Sequence, residues 1–378
     1  MVEVRKRESN FELLRIVSMI MIIMWHLLLQ GGFYDNAQGV IRLFFVIVEA
    51  IIVVHVNSFV LLTGYFQSNS SFKLKKVLSI ILLVWFYKIS VLFLMLFLHK
   101  YNANSIDFFK CISPINYQDY WFISTYVLLY LLSPLLNIVI KNIDMKKFKI
   151  VLILLFLIFS ILPTITMQEA YNNNHGYSLG NFILLYFIGA YIRKRYSYKE
   201  KILKKYTINA KKIIILLLFF MFASYNFLLY IFSDYIANYS NDYLNYLSLI
   251  IKHASFSYDN PIVIFQSIIY LVFFGLLQIR SKTINIISKT TFGVYLIHTN
   301  KLLRVYVYKI FGFNAHINSG FNMLKFLILN SIILFSICAL IELIRVVLFH
   351  VLRKNNIYKK IRDKLLEYFD SLGMKISW

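Results

Sequence analysis

Apolar residues arrive along this chain in long runs, separated by shorter intervals rich in Lys, Asn, Tyr and Asp. Runs of about 20 such residues cross a hydrocarbon core of roughly 30 Å as helices. The pattern predicts ten spans, at residues 11–30, 41–63, 76–98, 120–140, 148–166, 179–192, 211–232, 261–279, 286–303 and 322–350. The sixth is short, the ninth contains Lys289 and Lys301, and the tenth is long enough to tilt or to extend past the bilayer. The expected fold is all-α, a polytopic membrane bundle of about ten transmembrane helices, forming a single domain over 1–378 with a basic tail from about 351 to 378. No soluble domain, internal repeat or separately folding linker is visible.

The polar intervals carry the orientation. Of the Lys and Arg residues, 29 fall in one alternate set of connections, which holds both termini and the stretch from Arg193 to Lys212. The other set holds 6, namely Lys100, Lys110, Lys252, Lys301, Arg304 and Lys309. Excess positive charge marks the cytoplasmic side, so both termini are expected there and the number of spans must be even. Lys301, Arg304 and Lys309, beside the ninth span, fit this map worst. The connections 99–119, 167–178 and 233–260 are expected to face outward.

Composition agrees with the pattern, since 60% of residues are hydrophobic and 15% charged, outside the range of soluble domains. The net charge of +23 lies in short clusters between apolar runs and not on one arm or face, so it reports orientation in a lipid bilayer and gives no reason to expect nucleic acid. Cys111, in a polar connection, and Cys338, inside a span, offer neither a disulfide framework nor metal-ligand spacing; no metal and no bound cofactor are expected. The opening MVEVRKRESN and the run after it look like a signal peptide. The run is too long for one, carries Arg15 and His26 and has no small-residue cleavage site, so a retained first span is expected.

That first span concentrates the chemistry. Arg15 and His26 are eleven residues apart, which is about three turns plus 20° and places both on one helix face, roughly 16 Å apart along the axis. A cation at the centre of a membrane helix costs on the order of 2.5–3.5 kcal/mol on insertion scales, so ionisable groups kept there are candidates for function. Each also has a plainer role open to it. Arg15 sits about a turn from the helix start, where it can pair with Glu12 or snorkel to the interface, and His26 can bond a neighbouring helix. With the N-terminus inside, Arg15 is expected near the cytoplasmic face and His26 in the outer third of the bilayer. Other polar groups within spans are Glu49, which can orient His26 or pair with Lys88; His55 and Asn57, which can line a path or bond a neighbour; and His298. Glu342 and Arg345 form an i,i+3 pair expected to neutralise itself.

Four stretches, taken in order, resemble one family. Arg15 and His26 in the first of about ten helices are similar to the arginine and histidine signature of the integral-membrane acyltransferase-3 family. NSFVLLTGYF (Asn57 to Phe66) resembles its segment ending in Ser-Gly-Tyr-Phe, WFISTYVLLYLLSPLLN (Trp121 to Asn137) its Trp-Phe…Leu-Ser-Pro…Asn helix, and FGVYLIHTN (Phe292 to Asn300) its Tyr-Leu-Ile-His segment. The resemblance implies transfer of an acyl group, usually acetyl from acetyl-CoA, to a hydroxyl on a cell-surface glycan. Two positions depart from the family pattern. Asn57 stands where many members carry an acid, and Lys73, Lys75 and Lys76 stand where they carry a pair of arginines, so charge is present without the bidentate fork.

An alcohol is a weak nucleophile at neutral pH, and a positioned imidazole can take its proton or carry the acyl group itself. His26 is the candidate for that role, and Arg15 for the phosphates or pantetheine arm of the donor. Glu49, Asn57, Lys73, Lys76 and His298 are expected along the donor or acceptor path. The function expected is therefore that of an O-acyltransferase of the cell membrane, with acetyl-CoA as donor substrate and a surface polysaccharide or its lipid-linked precursor as acceptor. A polysaccharide flippase or polymerase, with no acyl transfer, would more often distribute charges along a central cavity or carry a large outward loop. A small-molecule transporter would show paired halves with interrupted helices. This chain instead gathers its charges in the first helices, and no paired halves are visible.

Overall fold

The computed structural model describes residues 7–102, 111, 117–166, 174–199, 208–239, 241–313 and 320–354; the basic tail from 355 onward and residues 200–207 of the large basic loop lie outside them. Regular structure among the described residues is entirely helical. In chain order the helices are α1 (Ser9–Gln30), α2 (Gly39–Ile52), α3 (His55–Gln67), α4 (Leu74–Phe97), α5 (Tyr117–Asn142) and α6 (Met145–Phe156). They continue with α7 (Leu179–Lys199), α8 (Ile208–Ile236), α9 (Asp242–Ser255), α10 (Pro261–Gly275), α11 (Lys282–Ile287), α12 (Thr291–His298), α13 (Lys301–Phe311) and α14 (Gly320–Lys354). A π turn at Leu157–Ile161 carries α6 on to Thr166. Among the described residues, seven stretches are long and apolar enough to cross a membrane: Ser9–Gln30, Gly39–Gln67, Leu74–Phe97, Asp119–Asn142, Met145–Thr166, Asn209–Ile236 and Phe321–Val351.

Helix α1 is the hub. It packs against α2, α3 and each of α10 to α14, and its side chains divide between two apolar clusters. Phe11 and Leu14 join residues of α3, α7 and α10, whereas Met19, Ile22 and Ile23 join residues of α4, α5, α12 and α14. The outer helices instead present apolar rows to their surroundings, such as Ile150, Ile153 and Leu154 on α6 or Ile344, Val347 and Val351 on α14. Lipid tails are as apolar as these side chains, so helices in a bilayer associate through close fit and polar bonds. The α3–α7 pair shows the fit. A Cβ added at Gly64 would strike the Tyr186 carbonyl, and one at Gly189 would strike the Leu61 carbonyl, so each glycine admits the backbone of the other helix.

Polar bonds repair the ladder wherever it is broken. Pro134 in α5 lacks the N–H that the Tyr130 carbonyl would receive, and Ser133 Oγ donates to that carbonyl at 2.7 Å. Asn137, one turn on, donates to the Gln67 carbonyl at 3.1 Å and accepts from the Tyr186 hydroxyl at 2.7 Å, joining α5 to α3 and α7. Asp144 caps α6 by accepting from the Lys146 and Lys147 N–H groups, both at 2.8 Å. Led by the Lys147 N–H, these donors hold its carboxyl below the usual carboxylate range.

Several expectations change. The second span, expected to be continuous over 41–63, is interrupted at Val53 and Val54, where α2 gives way to α3. Two carbonyls beside the interruption take side-chain donors, Ala50 from Gln266 Nε2 at 2.9 Å and Ile52 from His55 Nδ1 at 2.5 Å. The ninth span, expected over 286–303, is instead divided among α11, a 3-10 turn at Ser288–Thr290, α12 and α13. Asn300 makes the last division by accepting from the Leu302 N–H at 3.0 Å, an N-cap that starts α13 and puts Lys301, Arg304 and Lys309 on a helix of their own. Lys88 pairs with Asp119 at 2.8 Å and not with Glu49; Lys301 reaches the other oxygen of the same carboxylate, also at 2.8 Å. Glu342 and Arg345 do pair, at 2.6 Å.

Candidate active site

A cavity of about 280 Å³ runs along one face of α1, enclosed by α3, α4, α5 and α12. Arg15, Met19, Ile22 and His26 form one stripe of its α1 wall at positions i, i+4, i+7 and i+11, as the helical period requires, and Trp25 flanks that stripe beside His26. On α3, His55, Val56, Phe59 and Thr63 face them, with Lys76 from α4, Trp121, Phe122 and Tyr126 from α5, and Thr291, Phe292 and Tyr295 from α12. Tyr177 and Tyr258, from the connections before α7 and α10, complete the lining.

The two ends differ in chemistry. Where α1 begins, Arg15 Nη1 lies 2.7 Å from Glu12 Oε1, and its guanidinium sits 5.9 Å from the Phe66 ring centre. Glu12 is buried and also has Arg7 at 3.5 Å, so it has two cations to balance one carboxylate. Arg15 therefore holds both roles open to it in the sequence, partner of Glu12 and wall of the cavity. Lys76 adds a second cation, its Nζ 4.5 Å from the Tyr130 ring centre and 5.8 Å from that of Tyr126.

Where α1 ends, the lining turns to histidine and aromatic rings. His26 Nδ1 is 3.1 Å from His298 Nε2, and His298 Nδ1 is 2.7 Å from the Val294 carbonyl. Trp25 packs edge-on to His26 with ring centres 5.3 Å apart, and its indole lies beside the Glu49 carboxyl. His55 Nε2 is 3.2 Å from the Tyr258 hydroxyl. Beyond it Trp121, Tyr177 and Tyr258 form a cluster of rings, with Trp121 4.3 Å from Tyr177 and near-parallel to Tyr258 at an interplanar angle of 19°.

Of the residues singled out from the sequence, Arg15, His26, His55 and Lys76 line the cavity. His298 stands directly behind His26. Glu49 makes no bond to the His26 imidazole and lies beside its neighbour Trp25. Asn57 supports the wall from outside, donating to the Tyr258 carbonyl at 2.8 Å. Lys73 does not join the lining; it is exposed at the start of α4, and its backbone N–H donates to the Tyr130 hydroxyl at 3.1 Å. Sequence reasoning missed Trp25, Tyr177 and Tyr258. Trp25 lies beside His26 in an apolar run, and the two tyrosines lie in connections without periodicity, among many other tyrosines. Trp121 and His55 carried a signal, one as part of the stretch Trp121 to Asn137, the other as an ionisable group within a span.

These features define a multi-pass membrane protein whose polar residues converge on a cavity inside the bundle. A family model described as an acyltransferase domain, that of acyltransferase family 3, matches residues 8–350 and so takes in every residue of the cavity. The chain belongs to this family and is a membrane acyltransferase. Comparison with curated proteins and with solved structures gave no significant match.

Proposed function

We propose that the protein passes an acetyl group from acetyl-CoA to a hydroxyl of a cell-surface or lipid-linked polysaccharide, acting in the cell membrane with both termini in the cytoplasm. The observation that carries this reading is the polarity of the cavity, with cations at one end and histidines with aromatic rings at the other. The phosphates of the donor suit Arg15 and Lys76. From there its arm runs past Met19 and Ile22, about 16 Å along the helix axis, to bring the thioester to His26. The ring cluster of Trp121, Tyr177 and Tyr258 offers apolar faces to the C–H faces of a sugar.

His26 then serves as base. It takes the proton of the acceptor hydroxyl as the oxygen attacks the thioester carbonyl; the C–S bond breaks and the departing thiolate recovers the proton from the imidazolium. The products are an acetyl ester and free CoA, with His26 neutral again. The test is direct. Sealed inside-out vesicles containing the protein, given acetyl-CoA radiolabelled in the acetyl group, should label the glycan, and vesicles lacking the protein should not. Glycan translocation without any label in the glycan would replace this reading with that of a flippase.

A further inference from the structure

We infer that His298 is the positioning residue of the site: it fixes His26 as the tautomer with its proton on Nδ1, so that Nε2 is the nitrogen that meets the acceptor hydroxyl. The inference rests on the reading of His26 as the base and adds which atom acts and what sets it.

One neighbour of His298 can only accept. The Val294 carbonyl has no proton to give, so His298 Nδ1, 2.7 Å away, carries one. A neutral imidazole has a single N–H, which leaves His298 Nε2 as a bare acceptor. His26 Nδ1 lies 3.1 Å from that atom. Two bare nitrogens do not bond, so His26 Nδ1 holds its proton and donates it to His298. With both rings neutral, as burial without a counter-charge favours, His26 Nε2 is left with its lone pair. His298 is 1% exposed, and its Nδ1 bond runs to the residue one turn earlier on its own helix, so the ring is held from behind.

His55, the other histidine of the cavity, shows the contrast. Its Nδ1 is spent on the Ile52 carbonyl at 2.5 Å, which makes its Nε2 the acceptor for the Tyr258 hydroxyl at 3.2 Å. Of the six ring nitrogens on His26, His55 and His298, only His26 Nε2 has no protein partner among the described residues. The arrangement is that of a base oriented by a third group. A carboxylate does this in hydrolase triads, where supplying the wrong tautomer costs about 10⁴ in kcat. Here a neutral imidazole does it. When His26 becomes imidazolium, its Nδ1–H still points at His298 Nε2, so the new charge meets a ready acceptor without a buried carboxylate.

The experiment compares His298→Met, which removes the acceptor, with His298→Gln, whose amide oxygen can accept, and adds His26→Gln and the double variant His26→Gln/His298→Met. Full-length proteins in vesicles are matched for abundance, and glycan acetylation is measured against acetyl-CoA concentration. His298→Met should lose at least about tenfold in kcat with the KM for acetyl-CoA nearly unchanged, because the interaction acts on the chemical step. His298→Gln should retain several-fold more activity than His298→Met. Adding His298→Met to His26→Gln should cost nothing further, as expected for residues that act as a unit. Wild-type kcat in His298→Met, equal losses in the Met and Gln variants, or an additive loss in the double variant would each overturn the assignment while leaving His26 as base. Wild-type activity in His26→Gln alone would remove the base itself and this inference with it.

Discussion

At the level of single residues, Arg15 is the instructive case, because one guanidinium both neutralises buried Glu12 and lines the cavity. Arg15→Lys keeps the charge and loses the fork. A charge-assisted hydrogen bond is worth roughly 1.5–3 kcal/mol, so loss of one should raise the apparent KM for acetyl-CoA by about tenfold or more and leave that for the acceptor nearly unchanged. Unchanged affinity for acetyl-CoA would leave Arg15 as the partner of Glu12 alone. The positions of Arg15 and His26 were legible because ionisable groups are rare in an apolar run and the helical period fixes their common face. Lys73 and Lys76 were not separable in this way. Both are lysines beside one span, and only the packing of α4 against α5 sets Lys76 over the tyrosine rings while Lys73 stays outside. Glu49 likewise had several partners within reach, and the rotation of α2 about its axis sets it beside Trp25.

At the level of elements, close helix contacts explain parts of the family-like stretches that do no chemistry. Gly64 sits in the Asn57 to Phe66 stretch because α7 passes against it, and Ser133 and Asn137 in the Trp121 to Asn137 stretch mend and brace a helix that contains Pro134. Gly64→Ala should cost about 1–3 kcal/mol by overpacking and lower the melting temperature of the purified protein in detergent. A melting temperature equal to that of the wild type would mean that α3 and α7 do not approach this closely. Helix existence was readable from apolar run length, but helix continuity was not. The run from Ile51 to Val56 is apolar except for His55, and its interruption is served by Gln266, more than two hundred residues away in the chain. The break at Asn300 did carry a local signal, an N-cap residue in front of Lys301, outweighed by the apolar run before it.

At the level of the whole molecule, the unequal division of Lys and Arg between alternate connections, 29 against 6, gives each end of the bundle a side. In a chain whose Cys111 and Cys338 are replaced by serine, a cysteine at exposed Lys147 should be protected from a membrane-impermeant maleimide in intact cells. A cysteine at Tyr243, which is 71% exposed at the opposite end of the bundle, should be labelled. The reverse result would invert the orientation and with it the direction of donor access. The apolar character of the bundle was plain in the sequence, and the cavity was not, because it is built from five helices and two connections that meet only in the folded chain.

The central claim is that His26 carries the chemistry of acetyl transfer, and one measurement tests it most directly: acetylation of the glycan by a His26→Gln protein that inserts and accumulates normally. Glutamine keeps hydrogen-bonding capacity, so a helix contact would survive the change, whereas a base would not. Positioned acid–base catalysis is typically worth about 10²- to 10⁴-fold, or roughly 3–5.5 kcal/mol of barrier. The His26→Gln protein should lose at least about a hundredfold, and acetylation at the wild-type level would contradict the role of His26 as base.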